Sequence, residues 1–169
     1  MALNTLTSTY LQENLGGYFD KGIGMPVYVN VAIEDVARSR AFFTALGFSF
    51  DERFSNDMAL GMIIDGGGYA TLLRKDFFQS FTTRELADPR KACEVMIAVQ
   101  LDSREAVAEM HRVAMANGGD ELGEASDLGF MFSHDFADPD GHIWSPFWMD
   151  PAQMTEQAYL VDEVREWLM

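Results

Sequence analysis

From residue 27 to residue 33 the chain alternates with a period of two, which places Val27, Val29, Val31 and Ile33 on one face of a strand. Tyr28, Asn30 and Ala32 fall on the other face. At Asp35 the rhythm changes, and Val36, Phe42, Phe43 and Leu46 recur at helical spacing as far as Gly47. Further along the chain the same succession returns. Val95, Ile97, Val99 and Leu101 oppose Glu94, Met96, Ala98 and Gln100; Ser103 then offers a helix cap, and Val107, Met110 and Ala114 form a stripe before Gly118-Gly119. Each copy runs on into short strand-like segments and closes on a glycine that opens an apolar run, Gly68-Tyr69-Ala70-Thr71-Leu72 in one and Gly141-His142-Ile143-Trp144-Ser145 in the other. A coarse internal repeat of this kind predicts two βαβββ modules.

The predicted class is α+β, with module one over residues 25–90 and module two over 91–150 of a single domain. The β-branched faces belong under the helices. The mixed faces then curl into a shared concave cavity lined by Tyr28, Asn30, Met96 and Gln100, where a small ligand would sit. Outside the repeat, residues 1–24 form an N-terminal arm that is helical if Leu3, Leu6, Tyr10 and Leu11 share a face. Asp150-Pro151 gives a cap and a first-turn proline, after which Leu160, Val164, Trp167 and Leu168 predict a C-terminal helix over residues 151–169.

Composition narrows the function classes. A chain of 169 residues, 48% hydrophobic and 23% charged, can bury one real core but is short for two. The formal charge of −15 repels nucleic acid phosphates, so no nucleic acid partner is expected. No apolar run approaches the roughly 20 residues of a membrane span, so no membrane partner is expected either. A single Cys93 excludes an internal disulfide framework and suits the cytoplasm, the expected location. The thirteen Phe and three Trp exceed what a small core readily hides, and Phe77, Phe78, Phe81, Phe130, Phe132 and Phe147 fall in or near the expected cavity. Such a lining suits a flat or apolar molecule anchored by a few polar groups, here Tyr28, Asn30, Gln100 and Ser145.

Two stretches carry a resemblance. Met25-Pro26-Val27-Tyr28-Val29-Asn30, leading through Asp35 to Phe42-Phe43-Thr44-Ala45-Leu46-Gly47-Phe48, is the first. Phe136-Ala137-Asp138-Pro139-Asp140-Gly141-His142-Ile143-Trp144 is the second. Together they resemble the vicinal oxygen chelate superfamily, which includes glyoxalase I, bleomycin-resistance proteins and extradiol dioxygenases. The aromatic loop Asp76-Phe77-Phe78-Gln79-Ser80-Phe81 resembles its lactoylglutathione-lyase-like subgroup. The resemblance covers residues 25–150 and implies a homodimer. It also implies metal ligands on the opening and closing strands of each module. Counting back from the two helix caps lands on Tyr28 and Met96, and counting on from the closing glycines lands on Leu72 and Ser145. None is an imidazole or a carboxylate, and a catalytic divalent ion normally takes about three such donors.

The expected function is therefore binding of a small, largely apolar or aromatic organic molecule, with no metal cofactor. The alternative is a metal-dependent lyase or dioxygenase with ligands outside the usual positions, His134 with Glu94. His134 is the one catalytic candidate. His142 belongs to the Asp-Pro-Asp-Gly turn, Cys93 has no cationic activator beyond Lys91, and Gly66-Gly67-Gly68 reads as a hairpin turn.

Overall fold

Residues 26–64 and 68–153 are described by the computed structural model. The expected arm over 1–24, the Gly66-Gly67 turn and the terminal helix beyond residue 153 lie outside the described residues.

Strand β1 (Val27–Ile33) runs parallel to β4 (Gly68–Arg74), with Tyr28 opposite Tyr69 and Asn30 opposite Thr71. Parallel neighbours require a crossover. Helix α1 (Val36–Ala45), β2 (Ser49–Asp51) and β3 (Ala59–Ile64) supply it, giving the sheet order β1-β4-β3-β2. Helix α1 starts at the expected cap: Asp35 is extended, and its carboxylate accepts the Arg38 N–H at 2.7 Å. A single-turn helix, α2 (Lys75–Gln79), follows β4 directly.

The second module repeats this order with broken inner strands. Strand β5 (Met96–Gln100) is parallel to β10 (Ile143–Met149), and α3 (Arg104–Ala116) begins where the Ser103 hydroxyl accepts the Ala106 N–H at 3.1 Å. One neighbour of β10 is split into β8 (Met131–Ser133) and β9 (Phe136–Ala137). The outer strand is split into β6 (Asp120–Glu121), which pairs β9, and β7 (Ser126–Asp127), which pairs β8. The interruption falls at His134 and Asp135.

As the alternation predicts, Val31 and Ile33 of the β-branched face are buried in the core, whereas Val27 at the start of the same face is 62% exposed. Val31, Ile33, Phe42, Phe43, Leu60, Met62 and Leu72 of module one share a core with Ile97, Ala114, Phe136 and Trp144 of module two. Trp144 is 1% exposed, its ring centroid 4.8 Å from that of Phe43.

The Asp138-Pro139-Asp140-Gly141 turn fastens the modules together. Asp138 Oδ1 accepts the N–H groups of Asp140, Gly141 and His142 at 2.9, 2.9 and 3.0 Å, and Oδ2 accepts the Trp144 indole N–H at 3.1 Å. Asp140 reaches into module one, accepting the Glu34 N–H at 2.9 Å and the Arg38 guanidinium at 2.6 Å. His142 Nε2 meets the Ala32 carbonyl at 2.7 Å. Gly141 has φ +100, and a Cβ there would come within 2.6 Å of Arg90 Cγ, so the turn requires glycine twice over. Among the described residues, no helix is long and apolar enough to cross a membrane.

Candidate functional site

A hollow of about 570 Å³ lies on the mixed face of the first sheet. Its floor comes from paired strands, because Tyr28 and Asn30 on β1 and Tyr69, Thr71 and Leu73 on β4 share one side of the pleat. Tyr28 and Tyr69 stack with centroids 4.6 Å apart and ring planes 11° off parallel. One wall is Phe77 and Phe78 on α2 with Phe81 just beyond; Phe77 meets Phe81 edge to face at 5.0 Å. That wall is held from behind. The Arg74 fork grips Asp76 at 2.6 and 2.7 Å, and the Gln79 amide donates to the carbonyls of Thr82 and Arg84 at 2.8 and 2.9 Å.

The opposite wall is the 3-10 turn Glu52–Phe54 and Asn56. It is pressed on the sheet by Ser55, whose hydroxyl donates to the Asp51 carbonyl at 2.8 Å and accepts the Gly61 N–H at 3.1 Å. Gly61 permits the approach, since a Cβ there would stand 2.9 Å from Phe54 Cβ. At the rim the Arg53 guanidinium clasps Asp51 at 2.6 Å and, with the Arg53 N–H, holds that carboxyl below its usual range. Asn30 and Thr71 put an amide and a hydroxyl into this lining, and among the described residues neither side chain makes a hydrogen bond.

Of the residues singled out from sequence, Tyr28, Asn30, Phe77 and Phe78 come together here. Met96, Gln100 and Ser145 occupy the corresponding face of the second sheet, where Met96 pairs with Ile143, Ser145 with Ala98, and Gln100 with Phe147. They do not line this hollow. The Ser145 hydroxyl donates to Asp135 Oδ1 at 2.6 Å. Phe132 turns to the helix side instead, because β8 pairs it with Trp148 and the Arg104 guanidinium lies 5.4 Å from its ring centre and 5.0 Å from that of Trp148. Phe130 precedes β8, with its carbonyl accepting the Asp150 N–H at 2.8 Å. Sequence reasoning missed Tyr69, Thr71 and Leu73. Their alternation across from β1 was the available signal.

The register also corrects the count along β4. Leu72 is wholly buried in the core, and the face position matching Ser145 is Thr71. The closing strands are thus aligned one residue earlier than a count from Gly68 gives.

His134 and Glu94 are not brought together. Glu94 Oε1 lies 2.9 Å from Nδ1 of the buried His142, at an angle that makes no hydrogen bond. His134 instead stacks on His111, centroids 3.4 Å apart and planes 6° off parallel, with both rings at Glu121. Burial pushes the Glu121 carboxyl up, but the His111 hydrogen bond and the charges of His111 and His134 outweigh it and leave it below the usual glutamate range. Cys93 is exposed.

A family model described as "Bleomycin resistance protein-like N-terminal" matches residues 26–60. No curated protein matches the chain in sequence. Among solved structures, a hypothetical protein from S. aureus aligns with a TM-score of 0.65 and 24% identity over 78% of this chain and 98% of that one. A glyoxalase/bleomycin resistance protein/dioxygenase family enzyme from Burkholderia phytofirmans PsJN aligns with a TM-score of 0.63 and 17% identity over 75% of this chain and 100% of that one. A glyoxalase-related enzyme from Fulvimarina pelagi gives 0.63 and 21%, over 72% and 86% of the two chains. The chain has the fold of these glyoxalase/bleomycin-resistance structures. The ligand positions that the sequence resemblance implies, on the opening and closing strands, are taken in the observed register by Tyr28, Thr71, Met96 and Ser145. That donor set of a phenol, two alcohols and a thioether does not fit a catalytic divalent ion, which takes imidazole nitrogen or carboxylate oxygen.

Proposed function

We propose that this protein binds a small, flat, largely apolar organic molecule in the hollow over β1 and β4, with no metal ion in that site. The observation that carries the reading is the stacked Tyr28–Tyr69 pair in one lining with Phe77, Phe78, Asn30 and Thr71. Aromatic faces favour a planar guest, and a few directed polar groups fix its orientation. The absence of imidazole and carboxylate donors at the family's ligand positions supports the metal-free part of the proposal. The bleomycin-resistance-like match supports sequestration, and the aromatic loop 76–81 supports a place in the lactoylglutathione-lyase-like subgroup.

We further propose a homodimer. Val27 and Met96, outside the hollow, are 62% and 48% exposed, apolar surface that a second copy would cover. The single Cys93 remains in keeping with a cytoplasmic protein.

The test is a thermal-shift screen of planar aromatic compounds with excess chelator present, followed by calorimetric titration of any hit. Saturable binding that survives chelator and is lost in Asn30→Ala and Tyr28→Ala is the expected result. Binding abolished by chelator would overturn the metal-free reading in favour of a metal-dependent lyase or dioxygenase. A screen without a single saturable ligand would overturn the binding reading itself.

A further inference from the structure

His111, Glu121 and His134 form a cluster that the proposed ligand site does not use. His111 lies on the buried side of α3 and is 6% exposed. Glu121 ends β6, and His134 sits at the break between β8 and β9. Elements distant in sequence thus bring three donors within 4.8 Å of one another. Nε2 of His111 is 3.1 Å from Glu121 Oε1, and Nε2 of His134 is 3.5 Å from the same oxygen. Among the described residues this is the one set of three histidine, cysteine or carboxylate groups whose donor atoms all lie within 4.8 Å of one another.

The spacing has a simple chemical meaning. Donors held about 2.0–2.1 Å from a tetrahedral ion stand roughly 3.3–3.4 Å apart, and the two observed nitrogen–oxygen separations bracket that edge; because the imidazole planes lie parallel with centroids 3.4 Å apart, one ring must turn out of the stack on loading for both in-plane lone pairs to meet one ion. Two imidazole nitrogens and one carboxylate oxygen select zinc and its transition-metal neighbours, whereas calcium and magnesium want oxygen alone. Access is open, because the Glu121 side chain is 53% exposed while that of His111 is 8% exposed. A cation can enter from solvent and keep water on its remaining position. His134 Nε2 also meets the Gly123 carbonyl at 3.2 Å, a contact that loading would exchange for the metal bond.

We propose that His111, Glu121 and His134 bind one zinc-type divalent cation and so pin α3 to the broken strands of module two. None of the three lines the hollow over β1 and β4. The site also differs from the ligand positions expected of the fold, which lie on the concave faces, whereas His111 is on a helix. Its role is to clamp β6 and the β8–β9 break, whose two-residue and three-residue ladders hold few hydrogen bonds of their own.

The experiment uses the full chain stripped of metal. It is titrated with Zn²⁺ by calorimetry and with Co²⁺ by visible absorption, with Ca²⁺ as the control for loose binding to an acidic surface. Expected are one equivalent of Zn²⁺, a Co²⁺ spectrum of low-coordinate type, no competition from Ca²⁺ and a melting temperature that rises until one equivalent is bound. Loss of an outer partner alone weakens metal sites by about 10–100-fold, so removing a ligand in His134→Gln or Glu121→Gln should weaken binding at least about a hundredfold. Both variants leave the buried His111 in place, and their metal-free melting temperatures should stay near that of the parent. Binding without one-equivalent saturation, or unchanged affinity in both variants, would overturn the proposal. Aromatic-ligand binding measured in His134→Gln should be unaffected, which keeps failure of this site distinct from failure of the proposed function.

Discussion

Asp140, in the closing turn of module two, holds the Arg38 guanidinium of module one at 2.6 Å. The carboxylate side chain is 2% exposed and the arginine 43%. The same carboxylate oxygen accepts the Glu34 N–H, so one side chain closes both the start of α1 and the boundary between modules. Asp140→Ala is expected to cost about 1–2 kcal/mol, because it leaves the part-buried Glu34 N–H and the half-exposed Arg38 guanidinium without their acceptor. Arg38→Ala should cost less, since its partner keeps the Glu34 N–H. Urea unfolding of the two variants checks the ranking.

Trp144 contacts both modules through Phe43 and donates its indole N–H to Asp138. Trp144→Ala should destabilise by about 3–5 kcal/mol, and Trp144→Phe by less while still orphaning Asp138 Oδ2. Because the core is shared, unfolding should remain a single transition in both. Separate transitions for the two modules would contradict a common core.

Gly141→Ala meets two obstacles. A left-handed backbone costs a residue with a Cβ about 1–2 kcal/mol, and the new methyl would also displace Arg90, whose guanidinium donates to the Pro139 carbonyl at 2.5 Å. Thermal denaturation should show a loss larger than the backbone cost alone.

Acid should weaken the fold. Asp51, Glu52, Asp76, Asp88, Glu109 and Asp127 all have carboxyl pKa values lowered, first of all by hydrogen bonds from arginine or lysine partners. A carboxyl depressed in the folded state contributes stability above its unfolded value and loses it as pH falls, so the window opens near pH ~4 and extends below. Asp138 runs the other way. Burial raises its pKa, so its contribution is present at low pH and lost as pH rises through the folded value. Melting temperature should therefore fall on acidification, less so in high salt, and Asp138→Asn should steepen the fall. A melting temperature flat to pH ~3 would contradict these assignments.

Tyr28 and Tyr69 act as one surface. Either alanine substitution should weaken binding of a planar ligand, and the double variant should lose less than the two single losses added, because each ring loses its stacking partner. Calorimetric titration of the three variants with the same ligand measures the coupling.

What sequence determined by itself was local and periodic. Asp35 and Ser103 cap their helices, and the faces of Val27–Ile33 and Met96–Gln100 follow from side chains alternating along a strand, a constraint that needs no distant partner. The Asp-Pro-Asp-Gly turn was recognisable, but nothing in its order showed that Asp140 would cross to Arg38.

Tertiary structure decided what depends on pairing between distant segments. Thr71 rather than Leu72 faces the hollow, because the parallel register with β1 sets the alignment of β4. Phe132 turns towards Arg104, because β8 pairs it with Trp148. His134 meets His111 and Glu121 rather than Glu94, because α3 and the broken outer strand pack where a one-dimensional pattern carries no information. Periodicity fixes the side of an element on which a residue stands; packing of separate elements chooses its neighbours, and the chemistry of this protein resides in those neighbours.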